Sequence, residues 1–297
     1  MDKLDVMRLL ARIVERGSFS AAAVDLGLPR STVTEAIKQL EARLGVRLLD
    51  RTTRHVSPTL DGEAYYRRCL AILAEVEDAE GSFSDRKPRG LLRIDVHGRM
   101  FRQIILPALP DFLARYPEIA LRIGEGDRLV DLVREGVDCV VRAGTPADSG
   151  MIVRRLGLLR ETTVGSPDYL ARHDTPRTPD DLAGHEMIGF LSSATGDVLP
   201  LEFTRDGQVQ EIKLPCRFTV TASETTVALA RLGYGLLQVP RYGVEADLAS
   251  GTLVEVLPDF PPSPTPVSAL YPQSRQLSPR VRVFVDWVIQ VFRPYQG

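Results

Sequence analysis

The chain has 297 residues, 44% of them hydrophobic and 26% charged, with a net charge of −2. That length suggests two or three domains able to bury several cores. No apolar run approaches the roughly 20 residues that would span a bilayer. The amino terminus is amphipathic and partly acidic, unlike a secretory leader, so a cytoplasmic location is expected. Three scattered cysteines, Cys69, Cys139 and Cys216, make neither a disulfide framework nor a metal cluster.

The near-neutral total conceals a division along the chain. Residues 1–58 carry ten Lys and Arg against seven Asp and Glu, a surplus of +3. Residues 59–85 carry two bases against seven acids, a deficit of −5. Such a split suits a chain whose first segment alone meets phosphate.

Leu4, Met7, Leu10, Ala11 and Val14 recur at helical spacing, so a first amphipathic helix is expected from about Asp2 to Glu15, with Gly17 ending it. Ser20 is the expected N-cap of a second helix, with Phe19 and Val24 as a hydrophobic staple and Gly27 as the stop. A third helix runs from near Arg30 to Leu44 with Val33, Ile37, Leu40 and Leu44 inward, and Gly45 stops it. The connection Gly27-Leu-Pro29 is tight enough to make the pair a helix-turn-helix. The outer face of the third helix holds short hydroxyl and basic side chains, the kind that reach base edges and phosphates in a major groove. Arg30, Ser31, Thr32, Thr34, Glu35 and Lys38 are therefore candidate DNA contacts, and Ser20, read first as a cap, is a further candidate contact to phosphate.

Val46 to Pro58 reads as two short strands around a polar turn, a β-wing with Arg51 and Arg54 as candidate backbone contacts. A long helix from Thr59 to about Gly81 follows, with Ala64, Leu70, Leu73 and Val76 among its apolar positions. A helix longer than a small winged domain needs suggests pairing with a second copy. Ser84 to Gly90 carries Pro and Gly and reads as a polar hinge.

Beyond the hinge, strand, helix, strand, helix, strand alternate. The strands are Leu91–Val96, Ile119–Ile123 and Val137–Arg142; the helices are Arg102–Tyr116 and Asp127–Arg134. This alternation predicts a parallel sheet with crossover helices. A second set of elements fills Glu161 to Phe260, and the proline run Pro261–Pro266 marks a crossing back to one more strand, Val267–Tyr271, and helix, Arg280–Phe292. Two α/β lobes with a returning chain enclose a cleft. Strand-end loops and helix N-termini supply N–H and hydroxyl donors there, a chemistry suited to anions. His97, Gly98, Arg99, Gly144 and Thr145 from the first lobe, and Phe190, Ser192, Ser193, Thr221 and Ser223 from the second, are the candidate ligand contacts. Cys139 and Cys216 are both expected on apolar strands as inert thiols.

Taken together, these segments strongly resemble the LysR-type transcriptional regulators. The resemblance rests on Val14-Glu-Arg-Gly-Ser-Phe-Ser-Ala-Ala-Ala23, on Ser31 to Gly45 and on Arg47 to Gly62. It continues through Leu106 to Pro117, Ser166-Pro-Asp-Tyr-Leu170 and Gly136-Val-Asp-Cys-Val-Val-Arg-Ala-Gly144, so that it covers essentially the whole chain. It implies an α/β and α+β architecture: a winged helix-turn-helix, a dimerising linker helix and a two-lobed effector domain with a periplasmic-binding-protein-like fold. The corresponding segments are 1–58, 59–84, a hinge at 85–90, lobe 1 at 91–160 and 265–297, and lobe 2 at 161–264. The resemblance also implies double-stranded promoter DNA, a small-molecule effector, self-association into a dimer or dimer of dimers, and RNA polymerase where the regulator activates. No cofactor or membrane is implied. Many relatives carry a second basic residue where this chain has Glu35, which is expected to accept from a cytosine amino group or to pair with a neighbouring Arg.

Two other functions compete. An enzyme with an appended DNA-binding domain finds no nucleophile elbow, P-loop, dinucleotide fingerprint or metal-ligand spacing in the chain, and no catalytic residue is assigned. A ligand-independent DNA-binding protein would differ by a flat sequence preference and by indifference to metabolites.

Overall fold

The computed structural model describes residues 1–51, 56–81, 87–127, 132, 136–146, 150–275 and 278–296. They fall into two compact units, Met1–Arg86 with Leu277–Pro279, and Lys87–Gln276 with Arg280–Gly297.

In the first unit, helix α1 spans Lys3–Arg16, α2 Phe19–Asp25 and α3 Arg30–Leu44. Asp2 and Asp5 cap α1 reciprocally, each side chain accepting from the other's backbone N–H. Gly17 and Gly45 end α1 and α3 at φ of 58° and 71°, a left-handed backbone that glycine adopts without steric cost. The core is an apolar cluster of Leu9, Leu10, Ile13, Phe19, Ala22, Val33, Ile37, Leu40, Leu48 and Leu49.

Three local expectations are corrected. Ser18, not Ser20, caps α2: its backbone is extended, and its hydroxyl accepts from the Ala21 amide at 3.3 Å. Ser20 lies exposed inside the first turn. The Phe19–Val24 staple is absent as well, because Phe19 is buried while Val24 is 81% exposed. Starting the helix at Phe19 places that ring inside the core as a helical residue. Leu44 is 39% exposed, so the inward stripe of α3 ends at Leu40.

Strands β1 (Leu49–Arg51) and β2 (Val56–Pro58) pair antiparallel. Their turn lies outside the described residues. Helix α4 then runs Leu60–Gly81. Thr59 caps it, accepting from the Gly62 amide at 3.0 Å and donating to the Arg47 carbonyl at 2.7 Å. A side chain at Gly62 would overlap the Leu48 carbonyl, so glycine is what lets α4 approach the wing. Cys69 is buried in this core, and burial pushes its thiol up to about 11.

The second unit contains two lobes. In lobe 1, β3 (Gly90–Val96), β4 (Ile119–Glu125), β5 (Cys139–Ala143), β6 (Met151–Leu159) and β14 (Thr265–Pro272) form one sheet in the order β4-β3-β5-β14-β6. The three strands expected to be parallel are so, β3 running parallel to β4 and β5, and the sheet becomes mixed through β14, which opposes both β5 and β6. Topology supplies the reason. The chain leaves lobe 1 where β6 ends and returns beside that point, Thr265 pairing with Leu159, so the returning strand must run backwards. The expected helix at Asp127–Arg134 lies largely outside the described residues; Leu132 within it is helical and buried.

After β3 the chain makes a helical turn, Gly98–Met100, named α5, and a π-turn, Phe101–Ile105, that runs into α6 (Leu106–Arg115). Phe112, Phe284 and Trp287 pack in the lobe 1 core, the latter two from the carboxy-terminal helix Pro279–Val291.

Lobe 2 is built on β7 (Glu161–Gly165), flanked antiparallel by β12 (Leu237–Pro240) and β13 (Val254–Val256). A two-stranded parallel pair, β8 (Gly189–Phe190) with β11 (Thr219–Val220), encloses in sequence an antiparallel pair, β9 (Leu201–Arg205) with β10 (Gln208–Ile212), and precedes the helix Ser223–Arg231. Cys139 sits on β5 and is fully buried, whereas Cys216 lies on the loop before β11 and is half-buried, not on a strand as expected. Burial raises both thiols above the ordinary range.

The capping correction has a measurable consequence. Ser18→Ala should lower stability in urea unfolding by about 1 kcal/mol, while Ser20→Ala should stay within ~0.5 kcal/mol of the wild type. A loss confined to Ser20→Ala would return the cap to Ser20.

Candidate functional site

Helix α3 has two chemically distinct faces. Val33, Ile37 and Leu40 are buried, so Arg30, Ser31, Thr32, Glu35 and Lys38 are left exposed on the other side. Thr34 is half-buried, and its hydroxyl donates to the Arg30 carbonyl at 2.9 Å, one turn back along the helix. Glu35 accepts from Gln39 Nε2 at 3.0 Å. That i,i+4 amide, rather than the expected Arg, is its protein partner. Lys3 and Arg43 share a groove with Ser31, Thr32 and Glu35, adding two bases that the sequence reading did not place there.

The wing is held to α3 and to the end of α1 by carboxylate and backbone bonds. Glu41 Oε1 accepts from the Leu48 and Leu49 amides at 2.8 and 3.1 Å, and the Val56 amide donates to the Gly17 carbonyl at 3.1 Å. The Thr59 amide closes the network on the Leu48 carbonyl at 2.9 Å. Arg51 lies on β1; its side chain and all of Arg54 lie outside the described residues.

In the second unit the strand ends of lobe 1 meet the helix Ser223–Arg231 of lobe 2, named α8 in chain order after α7 (Pro167–His173). His97 follows β3 and lies beside Asp127, which follows β4: His97 Nε2 is 3.0 Å from Asp127 Oδ1. Asp127 Oδ2 accepts from the Ser223 amide, the first of α8, at 2.6 Å. Ser193 Oγ donates to the Asp127 carbonyl at 3.1 Å. Arg99 is only 3% exposed and crosses to lobe 2, donating to the Gly243 carbonyl and to Glu224 Oε2 at 2.9 Å. Arg102 donates to Glu125 and, at 2.7 Å, to Glu224 Oε1.

The electrostatics follow from these contacts. Burial works against ionising Asp127, but the His97 and Ser223 bonds outweigh it and hold the carboxyl below its usual range. Burial likewise opposes Glu224, and the Arg102 and Arg99 guanidiniums bring it below its ordinary value. Two polar atoms in this cluster, His97 Nδ1 and Arg99 Nε, are buried with no hydrogen-bond partner among the described residues.

The structure thus brings together His97, Gly98, Arg99, Ser193 and Ser223 of the sequence candidates; a side chain at the buried Gly98 would press on Glu125 and Arg102. Gly144 takes a φ of 100° and donates to the Pro266 carbonyl at 2.8 Å, and Thr145 beside it is exposed. Phe190 accepts through its carbonyl from Leu199, Ser192 accepts from Ala194 within its own loop, and Thr221 is exposed just ahead of α8. No hydrogen bond from these five residues reaches the Asp127 cluster among the described residues. The sequence reading missed Asp127, Glu224, Arg102 and Gly243. One signal was available: Asp127 follows β4 as His97 follows β3, and parallel-sheet ligand positions lie at carboxyl strand ends.

Comparison with known proteins finds a family match for each of the two units. Residues 4–63 match the family of bacterial regulatory helix-turn-helix proteins of the lysR family, and residues 85–293 match the LysR substrate binding domain. An HTH-type transcriptional regulator of Escherichia coli K12, YhjC, is 37% identical over 99% of both chains. The HTH-type regulator CrgA of Neisseria meningitidis serogroup C is 34% identical over 96% of this chain and 95% of its own. A solved structure of Neisseria meningitidis CrgA superposes with a TM-score of 0.62 at 33% identity, covering 97% of this chain and 98% of that one. Full-length AphB, a virulence activator of Vibrio cholerae, gives 0.60 at 27% identity, with 97% and 99% covered. With a helix-turn-helix that exposes a polar helix face and, later in the sequence, a two-lobed effector domain, the chain belongs to the LysR family of DNA-binding transcriptional regulators.

Proposed function

We propose that α3 reads operator DNA through Arg30, Ser31, Thr32, Thr34, Glu35 and Lys38, with Arg51 and Arg54 of the wing gripping the backbone. The single observation that carries this reading is the uncovered polar face of α3 beside a wing tied down by Glu41. Ser31 and Thr32 are short enough to reach base edges, while Lys38 is a phosphate contact. Glu35, held by Gln39, is oriented to accept from a cytosine amino group. Ser20, exposed and released from capping, is a phosphate contact at the start of α2.

In this reading residues 1–58 bind DNA, 59–84 pair with a second copy, 85–90 form the hinge, and the lobes at 91–160 with 265–297 and at 161–264 hold the effector. Ile72, 39% exposed on α4, and half-buried Leu70 and Val76 supply apolar surface for that pairing. A small molecule enters between the lobes, at the residues around His97, Arg99 and Ser223, and favours one lobe arrangement over another. The chain acts in the cytoplasm, where promoter DNA lies, and where it activates it meets RNA polymerase. No helix among the described residues is long and apolar enough to cross a membrane.

Two tests separate the parts. On operator DNA, Lys38→Ala should weaken binding to every sequence alike and flatten the log K against log salt slope by about 0.9. Ser31→Ala with Thr32→Ala should instead cut discrimination between operator and scrambled DNA by about tenfold at an unchanged slope. Identical behaviour of both variants would remove base reading from α3. For the effector, a panel of small carboxylates should contain a compound that raises the melting temperature of the full chain and alters its DNA affinity in the same concentration range. A compound that does the first and never the second would be a passive ligand.

A further inference from the structure

We propose that the cleft contains an anion subsite that the ligand-free chain fills with its own Asp127 carboxylate, and that a carboxylate effector enters by replacing it. The inference rests on the reading that a small molecule binds between the lobes, and names the ligand chemistry and its competitor.

Asp127 belongs to lobe 1, yet one of its oxygens accepts from the first amide of α8 in lobe 2, at 2.6 Å. A nine-residue helix offers free N–H groups and a partial positive charge at that end, which favour an anion. The other oxygen is 3.0 Å from His97 Nε2, so the carboxylate is held from two directions, as a bound ligand would be.

A second observation points to an occupant beyond the chain itself. Arg99 spans the lobes to Gly243 and Glu224, is 3% exposed, and leaves its Nε buried without a partner among the described residues. His97 Nδ1 is buried and unpartnered in the same cluster. Buried polar atoms are seldom left unmatched, because desolvation is then uncompensated. Beside a site already holding one carboxylate, these atoms offer places for a larger molecule bearing acceptor and donor groups.

Exchange of one carboxylate for another keeps a single carboxylate bound between the Ser223 amide and His97. It differs in one respect: Asp127 is tethered to lobe 1, whereas a free carboxylate is not. Replacement therefore cuts a direct link between the lobes, and the effector's affinity becomes coupled to their spacing.

The test is chemical rescue on the full chain. Asp127→Ala should melt about 3–6 °C below the wild type. Acetate or formate should restore at least half of that loss, against sodium chloride at matched ionic strength. The wild type, its subsite filled, should not respond to acetate beyond the chloride control. An Asp127→Ala protein indifferent to acetate, or a wild type that responds equally, would overturn the proposal. Should Asp127→Ala not fold, Asp127→Ser carries the same comparison. In the wild type alone, the Ser223 amide should exchange with solvent at least ~10²-fold more slowly than an unstructured amide; unprotected exchange would equally contradict a filled subsite. Rescue that leaves DNA affinity unmoved would keep the subsite and remove the effector reading. A carboxylate that regulates DNA binding without rescue in the alanine variant would do the reverse.

Discussion

Burial of Val33, Ile37 and Leu40 against the first two helices is the constraint on which the DNA-binding unit depends. A helix that must turn that stripe inward has one rotational setting, and Arg30, Ser31, Thr32, Glu35 and Lys38 then face outward. The same setting carries Glu41 to the Leu48 and Leu49 amides, so α3 also fixes where the wing begins. Thr59 and Gly62 extend the arrangement into α4, the first by capping it and the second by admitting the Leu48 carbonyl. One apolar stripe thereby positions the outward polar face, the wing and the start of α4.

The effector unit obeys a different logic, in which charged and polar side chains join the parts alongside the packing of Tyr242 of lobe 2 on the lobe 1 core. Each lobe has its own core, and the strand ends of one face the helix of the other through Asp127, Arg99, Arg102 and Glu224. Polar links of this kind are replaceable by a ligand of matching chemistry, as an apolar interface is not. The contrast suits the proposed regulator: the apolar core sets the helix proposed to address DNA, and the polar links between the lobes are those the proposed effector would exchange.

Much of this was legible in the sequence, and the failures have identifiable causes. Helical periodicity and the glycines at 17, 27 and 45 were sufficient to place α1, α2 and α3, because each helix has one strongly apolar side and a left-handed stop. The Ser18 cap was missed because two serines flank Phe19, and composition alone cannot say whether that ring staples the helix from outside or packs from within. Leu44 matched the inward period but falls in the last turn, beyond the reach of the core. The direction of β14 was hidden because a strand's pattern records burial, not polarity of travel. Arg99 and Ser223 were placed at the cleft, while Asp127 and Glu224 were overlooked as partners. Contacts 96 and 125 residues apart in sequence arise only when the two lobes are folded against each other.

The central claim is that α3 reads a particular DNA sequence. It is tested most directly by fluorescence anisotropy of the full chain on the DNA upstream of its own gene, with a scrambled fragment as control at several salt concentrations. The account predicts binding to the upstream fragment at least ~10³-fold tighter than to the control. Equal binding to both, rising steeply as salt falls, would leave only phosphate attraction and contradict it.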